Sequence, residues 1–138
     1  MDLAKVKKRL IQEEGKKHFP YRCSADKISI GVGRNLEDRG ISDITIDQML
    51  DEDIDICVGE LRQNLSWFDN APSGIQDVLI DLAFNMGVPK LLTFVKTLEL
   101  LRTSQYAKAA DELLRSRYAA TLPNRSGRNA EMIRGHAD

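Results

Sequence analysis

The sequence predicts an α+β protein: a small N-terminal lobe with an antiparallel β-sheet, a long connecting helix and a helical C-terminal lobe. Three observations carry this. Leu3, Val6, Leu10 and Ile11 recur at helical spacing. Ile28, Ile30 and Val32 then alternate with Ser29, Gly31 and Gly33 at period two. From Thr45 the helical period returns and persists almost to the end. At 138 residues the chain is long enough to bury a proper core as one domain. Lobes are expected over residues 1–65 and 66–138, with the first helix able to pack on the second lobe.

The first helix should span Leu3 to Glu14 and stop at Gly15, a natural residue after a helix end. Ser24-Ala25-Asp26 reads as a hairpin turn. The sheet is expected to put its apolar side on a core and leave the Ser29 side open. Thr45-x-x-Gln48 reads as a capping box starting a helix to about Leu65. Its buried stripe would be Met49, Leu50, Ile54, Cys57, Val58, Leu61 and Leu65. Ser73-x-x-Gln76 reads as a second box, opening a helix so apolar that it should lie at the centre of the helical lobe. Pro89 should start a short helix. Further helices are expected over Phe94 to Arg102, over Gln105 to Arg117 with Ser104 as N-cap, and over Arg125 to Arg134 after a Pro123-Asn124 turn.

Bulk composition excludes several functions. Charged residues are 30% and the formal net charge is −1, so no global basic field favours nucleic acid. Arg115 to Arg134 is locally basic, which suits either an anionic polymer or a solvated helix face. No run of about 18 apolar residues reads as a membrane span, and the charged N-terminal helix is not a signal peptide. Cys23 and Cys57 form no Cys-x-x-Cys pair, and His18 and His136 lie far apart, so no zinc site is expected.

The chemistry concentrates near the sheet. Glu14 ends a helix beside it. An acid held there partly out of water could donate a proton near neutrality, as glycoside hydrolysis requires; otherwise it is a solvated helix-end glutamate. Ser29 either orients a water or is an ordinary strand serine. Gly31 and Gly33 would let a sugar chain approach the backbone, or merely bend the sheet. Arg125 could pair with Glu14. Phe84 is either an apolar wall for a sugar ring or a core residue.

Taken in order, Glu14-Gly15, Tyr21, Ser29-Ile30-Gly31-Val32-Gly33, Phe84-Asn85-Met86-Gly87, Phe94, Ser116-Arg117-Tyr118 and Pro123-Asn124-Arg125 resemble the phage-type lysozymes, the muramidase endolysins of tailed bacteriophages. The resemblance covers nearly the whole chain and implies the two-lobed lysozyme-like fold. It gives Glu14 the general-acid place, Ser29 the place of a water-positioning threonine, and Arg125 that of the arginine paired with the acid. Asn35, Phe84 and Thr97 fall where the glycan groove is lined. The implied activity is cleavage between N-acetylmuramic acid and N-acetylglucosamine in peptidoglycan. The implied partner is the glycan strand, with no metal, cofactor, nucleic acid or stable membrane insertion. The protein should act as a monomer, be made in the bacterial cytoplasm and need a holin to reach the wall in the periplasm.

Two departures stand out. Arg34 replaces the usual histidine after the strand glycines. Cys23 occupies the position where the family usually carries its second catalytic residue, an aspartate. Cys23 is then a partly ionised base or nucleophile, a passive neighbour of Glu14 and Ser29, or the mark of a weakened or repurposed enzyme. The rivals to a hydrolase are a glycan-binding module and a lytic transglycosylase.

Overall fold

Asp2 starts the first helix: its carboxylate accepts the Lys5 backbone N–H at 3.3 Å, satisfying one of the donors a helix start leaves free. Helix α1 spans Leu3–Glu14, and Gly15 ends it at φ +79° with its N–H on the Ile11 carbonyl. The chain then makes β1 (Lys17–Arg22), β2 (Ile28–Gly31) and β3 (Arg34–Asn35), antiparallel in the order β1-β2-β3. The β1–β2 register slips between Lys17 and Tyr21. Pro20 falls in that slip, on an edge strand, where a missing N–H breaks no ladder.

The computed structural model describes residues 1–136. It separates into two units, Met1–Met49 and Leu50–Asp138. The end of the expected C-terminal lobe, residues 137–138, lies outside the described residues.

One expectation for the sheet is reversed. Ser29 does not lie on an open face; it is 1% exposed, while Ile28 and Ile30 are half-buried. The cause is topology. Ser29 sits in the central strand, paired with Tyr21 on one side and Asn35 on the other. Directly opposed residues share a face, so the larger Tyr21 and Asn35 side chains flank the small Ser29 hydroxyl.

After the short helix α2 (Leu36–Arg39), α3 runs from Asp43 to Asn64. Its cap is Ser42, not Thr45: the Ser42 hydroxyl accepts the Thr45 N–H at 3.2 Å. Of the expected stripe, Leu61 and Leu65 are buried, Ile54, Cys57 and Val58 half-buried, and Met49 and Leu50 exposed. A 3₁₀ turn at Phe68–Asn70 leads to α4 (Ser73–Met86). Pro72 is the N-cap of α4. The Gln76 N–H donates to the Pro72 carbonyl at 3.0 Å, so the expected box at Ser73 does not form, and the Gln76 side-chain amide donates to the Phe68 and Asp69 carbonyls.

Helix α4 buries Ile75, Val78, Leu79, Leu82 and Ala83, as its apolar sequence predicts. Around it follow α5 (Val88–Leu91), α6 (Val95–Arg102), α7 (Tyr106–Leu114), α8 (Arg117–Thr121) and α9 (Pro123–Arg134). Helix α9 packs on both α4 and α7. Ser104 is not an N-cap. It sits at φ +60°, in the turn that ends α6, and Gln105 precedes α7. The expected helix over 105–117 is divided, because Ser116 caps a new one through the Ala119 N–H. Pro123 opens α9 rather than preceding it, its fixed φ being ready-made for a first turn.

Ser126 of α9 is fully buried, and its hydroxyl has no hydrogen-bond partner among the described residues. An unpaired buried hydroxyl is a net loss. Ser126→Ala should therefore raise stability by about 0.5–1 kcal/mol, read as a higher midpoint in denaturant unfolding. A lower midpoint would mean that the hydroxyl is satisfied.

Candidate active site

Glu14 is the last residue of α1, exposed at the point where Gly15 turns the chain toward β1. One side of its carboxyl rests on the β2–β3 turn. A Cβ built on Gly33 would lie 2.9 Å from Glu14 Oε2 and 3.1 Å from Cδ. Gly33 also has φ +65°, a region that side chains disfavour. Glycine is thus required twice, for the turn and for the carboxyl. The space beside Gly33, expected to admit a sugar, is filled by the acid itself.

Cys23 follows β1 and opens the β1–β2 turn. Its N–H donates to the Lys27 carbonyl and its carbonyl accepts from the Asp26 N–H, both at 2.9 Å. The turn closes because Asp26 adopts φ +60°, which aspartate tolerates better than most residues. The backbone N–H groups of Lys27 and Ala25 hold the half-buried thiol below its ordinary pKa; the Ser29 hydroxyl adds to this and partial burial opposes it. Donors aimed at sulfur favour the thiolate. Cys57 is the contrast. Burial, then Glu60 and Asp53, push its thiol up. A thiol reagent near neutrality should therefore reach Cys23 first.

The Ser29 hydroxyl lies 3.3 Å from the Lys27 carbonyl, a long bond for O–H to O. Its single proton can go there or toward the Cys23 sulfur. Asn35 is half-buried and busy. Its Oδ1 accepts the Asp38 N–H at 3.1 Å and its Nδ2 donates to Asp38 at 2.9 Å, so it caps α2. Arg34 donates to the Gly40 carbonyl at 3.5 Å.

In the second unit, Phe84 is 45% exposed and lines a cavity of about 390 Å³ with Leu50, Ile54, Ile80, Asp81 and Arg125. Arg125 holds Asp81 in a fork, Nε at 3.0 Å and Nη2 at 2.8 Å, and Asn129 donates to the same carboxylate at 2.8 Å. The Arg125 bond is the main reason that Asp81 sits below its ordinary pKa; partial burial opposes, and Asn129 and Arg128 add to it. Stability from Asp81 is therefore complete above its ordinary value of 3.8 and is lost as pH falls through its lower folded value. Asp81→Asn should cost about 1–2 kcal/mol near pH 7, discounted because the pair is one-third exposed. It should also flatten the acid limb of the stability curve. An unchanged limb would remove Asp81 from acid unfolding.

Thr97, 4% exposed, lines a different cavity of about 470 Å³ with Phe94, Tyr118, Lys96, Arg115 and Arg117 among others. Tyr118 is fixed there by its hydroxyl on Asn85 at 2.9 Å and by an edge-on Phe94 ring. Within the basic stretch, Arg115, Arg125 and Arg134 all face acids, Glu112, Asp81 and Asp111.

Glu14, Cys23, Ser29 and Asn35 thus belong to the first unit, and Phe84, Thr97 and Arg125 to the second. Sequence reasoning missed Asp81, although a charge inside the apolar run Val78 to Leu82 was a signal. It also missed the packing of Gly33 on Glu14, for which no sequence signal exists. Among the described residues, no cluster of three His, Cys, Asp or Glu side chains is arranged to hold a metal, and no helix is long and apolar enough to cross a membrane.

A family model described as phage lysozyme matches residues 11–131. A relative from Dictyostelium discoideum, named probable T4-type lysozyme 1, is 21% identical, with 95% of this chain and 94% of the relative covered.

Proposed function

This chain belongs to the phage lysozyme family, and we propose that it hydrolyses the bond between N-acetylmuramic acid and N-acetylglucosamine in bacterial peptidoglycan. Glu14, protonated, gives its proton to the bridging oxygen as that oxygen leaves the anomeric carbon. The carbon takes on positive charge. Ser29 positions the water that attacks it, and the water's proton passes to a base.

Cys23 stands where that base or a nucleophile would stand. What supports this is the lowered pKa of the Cys23 thiol, caused first by the backbone of Lys27, then by that of Ala25, with a smaller part from the Ser29 hydroxyl. These groups favour the thiolate, the only form of the group able to accept a proton or attack carbon. Asn35, Phe84 and Thr97 take the family's substrate-contacting positions, and Arg125 that of the arginine paired with the acid.

The same proposal makes the protein a monomeric endolysin. It would need no metal or cofactor, take no nucleic acid, and reach the wall through a lesion made by a holin. A second reading has one observation in its favour. A thiol in the aspartate's place fits a module that holds glycan without cutting it.

The test is release of reducing ends from purified peptidoglycan by wild type, Cys23→Ser and Cys23→Asp. Loss in Cys23→Ser with recovery in Cys23→Asp is expected if position 23 accepts the proton. Undiminished release by Cys23→Ser would leave Glu14 and Ser29 to carry the reaction. Wall binding without release by wild type would establish the binding module, and anhydro-muramic ends a transglycosylase.

A further inference from the structure

One peptide group meets both Cys23 and Ser29. The Lys27 carbonyl accepts the Cys23 N–H at 2.9 Å and faces the Ser29 hydroxyl at 3.3 Å. The other end of that peptide is the Ile28 N–H. It donates to the Glu37 carboxylate at 3.0 Å, across nine residues of sequence. We propose that Glu37 is a positioning residue: it anchors the Lys27–Ile28 peptide and thereby sets the Cys23 thiol and the Ser29 hydroxyl.

The geometry makes this anchor effective. A peptide is planar, so fixing its N–H fixes the direction of its C=O. A charge-assisted bond is roughly twice as strong as a neutral one, and a donor in use polarises the carbonyl at the other end. Turning this peptide would move the acceptor of the Cys23 N–H and of the Ser29 hydroxyl, and with it the turn whose Lys27 and Ala25 backbone groups lower the thiol's pKa.

Glu37 is itself held. Helix α2 is capped by Asn35 at its start. Arg22 approaches Glu37 at 3.9 Å and Lys27 at 4.0 Å. Those cations are shared, Arg22 with Asp26 at 3.6 Å and Lys27 with Asp38 at 3.4 Å. All these pairs are exposed and contribute little to stability. Their place around the Cys23 turn is what distinguishes them.

The inference rests on the proposed hydrolysis only for its effect on turnover. Its structural part is read without turnover, by the pH dependence of Cys23 alkylation with iodoacetamide in the full chain carrying Cys57→Ser. Removing a nearby negative charge lowers a thiol's pKa; loosening the N–H donors raises it. Glu37→Ala should therefore move the alkylation profile to higher pH, against the charge effect. It should also lower kcat about tenfold with KM nearly unchanged. Glu37→Gln, whose amide oxygen can still accept the Ile28 N–H, should keep most of both. A profile that stays put or moves to lower pH in Glu37→Ala would overturn the proposal, as would a Glu37→Gln variant no better than Glu37→Ala. If the profile shifts as expected while kcat does not, the anchor stands and the role of Cys23 in hydrolysis fails.

Discussion

Glu14→Gln is expected to lower reducing-end release by about 10²–10⁴-fold, the range for a positioned general acid. The unfolding midpoint should stay within about 0.5 kcal/mol of wild type, as for an exposed substitution. Glutamine matches glutamate in size, so it keeps the contact with the Gly33 turn and removes only the transferable proton. The pairing of large kinetic loss with unchanged stability is what identifies the acid. A Glu14→Gln variant with full activity would sink the mechanism. A variant that loses activity and unfolds early would mean that Glu14 supports the fold.

Gly33→Ala should lose activity through the placement of Glu14. The new Cβ meets the far end of a flexible side chain, Glu14 Oε2 at 2.9 Å. That clash is cheap to relieve by moving the side chain, but moving it displaces the acid. A misplacement of about 1 Å can cost roughly 10²-fold in rate. Gly31→Ala is the control. Gly31 has nearly the same backbone angle, φ +69° against +65°, yet a Cβ there meets nothing within 4 Å. Both variants carry about 1–2 kcal/mol of left-handed strain, so their midpoints should fall together. Only Gly33→Ala should lose kcat beyond what its stability explains. Equal kinetics in the two would mean that the turn does not place Glu14.

Some of this was legible in residue order. Helix α1 over Leu3 to Glu14 and its stop at Gly15 were readable because helix stops are local chemistry, acting within one turn. The alternation around Ile28 marked a strand, and the apolar run around Leu79 marked a central helix, because period and burial are linked. Cap assignments failed where two candidates competed within a few residues. Ser42 took precedence over Thr45, and the Pro72 carbonyl took the Gln76 N–H that a box at Ser73 to Gln76 would need.

The fold class, the family and the unusual residue Cys23 were all readable from the order of amino acids. Each depends on residue identity and spacing along the chain. The environment of those residues came from folding. Ser29 is buried between Tyr21 and Asn35, its directly opposed neighbours in the flanking strands. Glu14 lies on Gly33, Ile28 is anchored by Glu37, and Arg125 is held by Asp81, each joining positions separated in the chain. Hydrogen bonds and close packing act over a few ångströms in space. Nothing in the order of residues records those separations until the chain has folded.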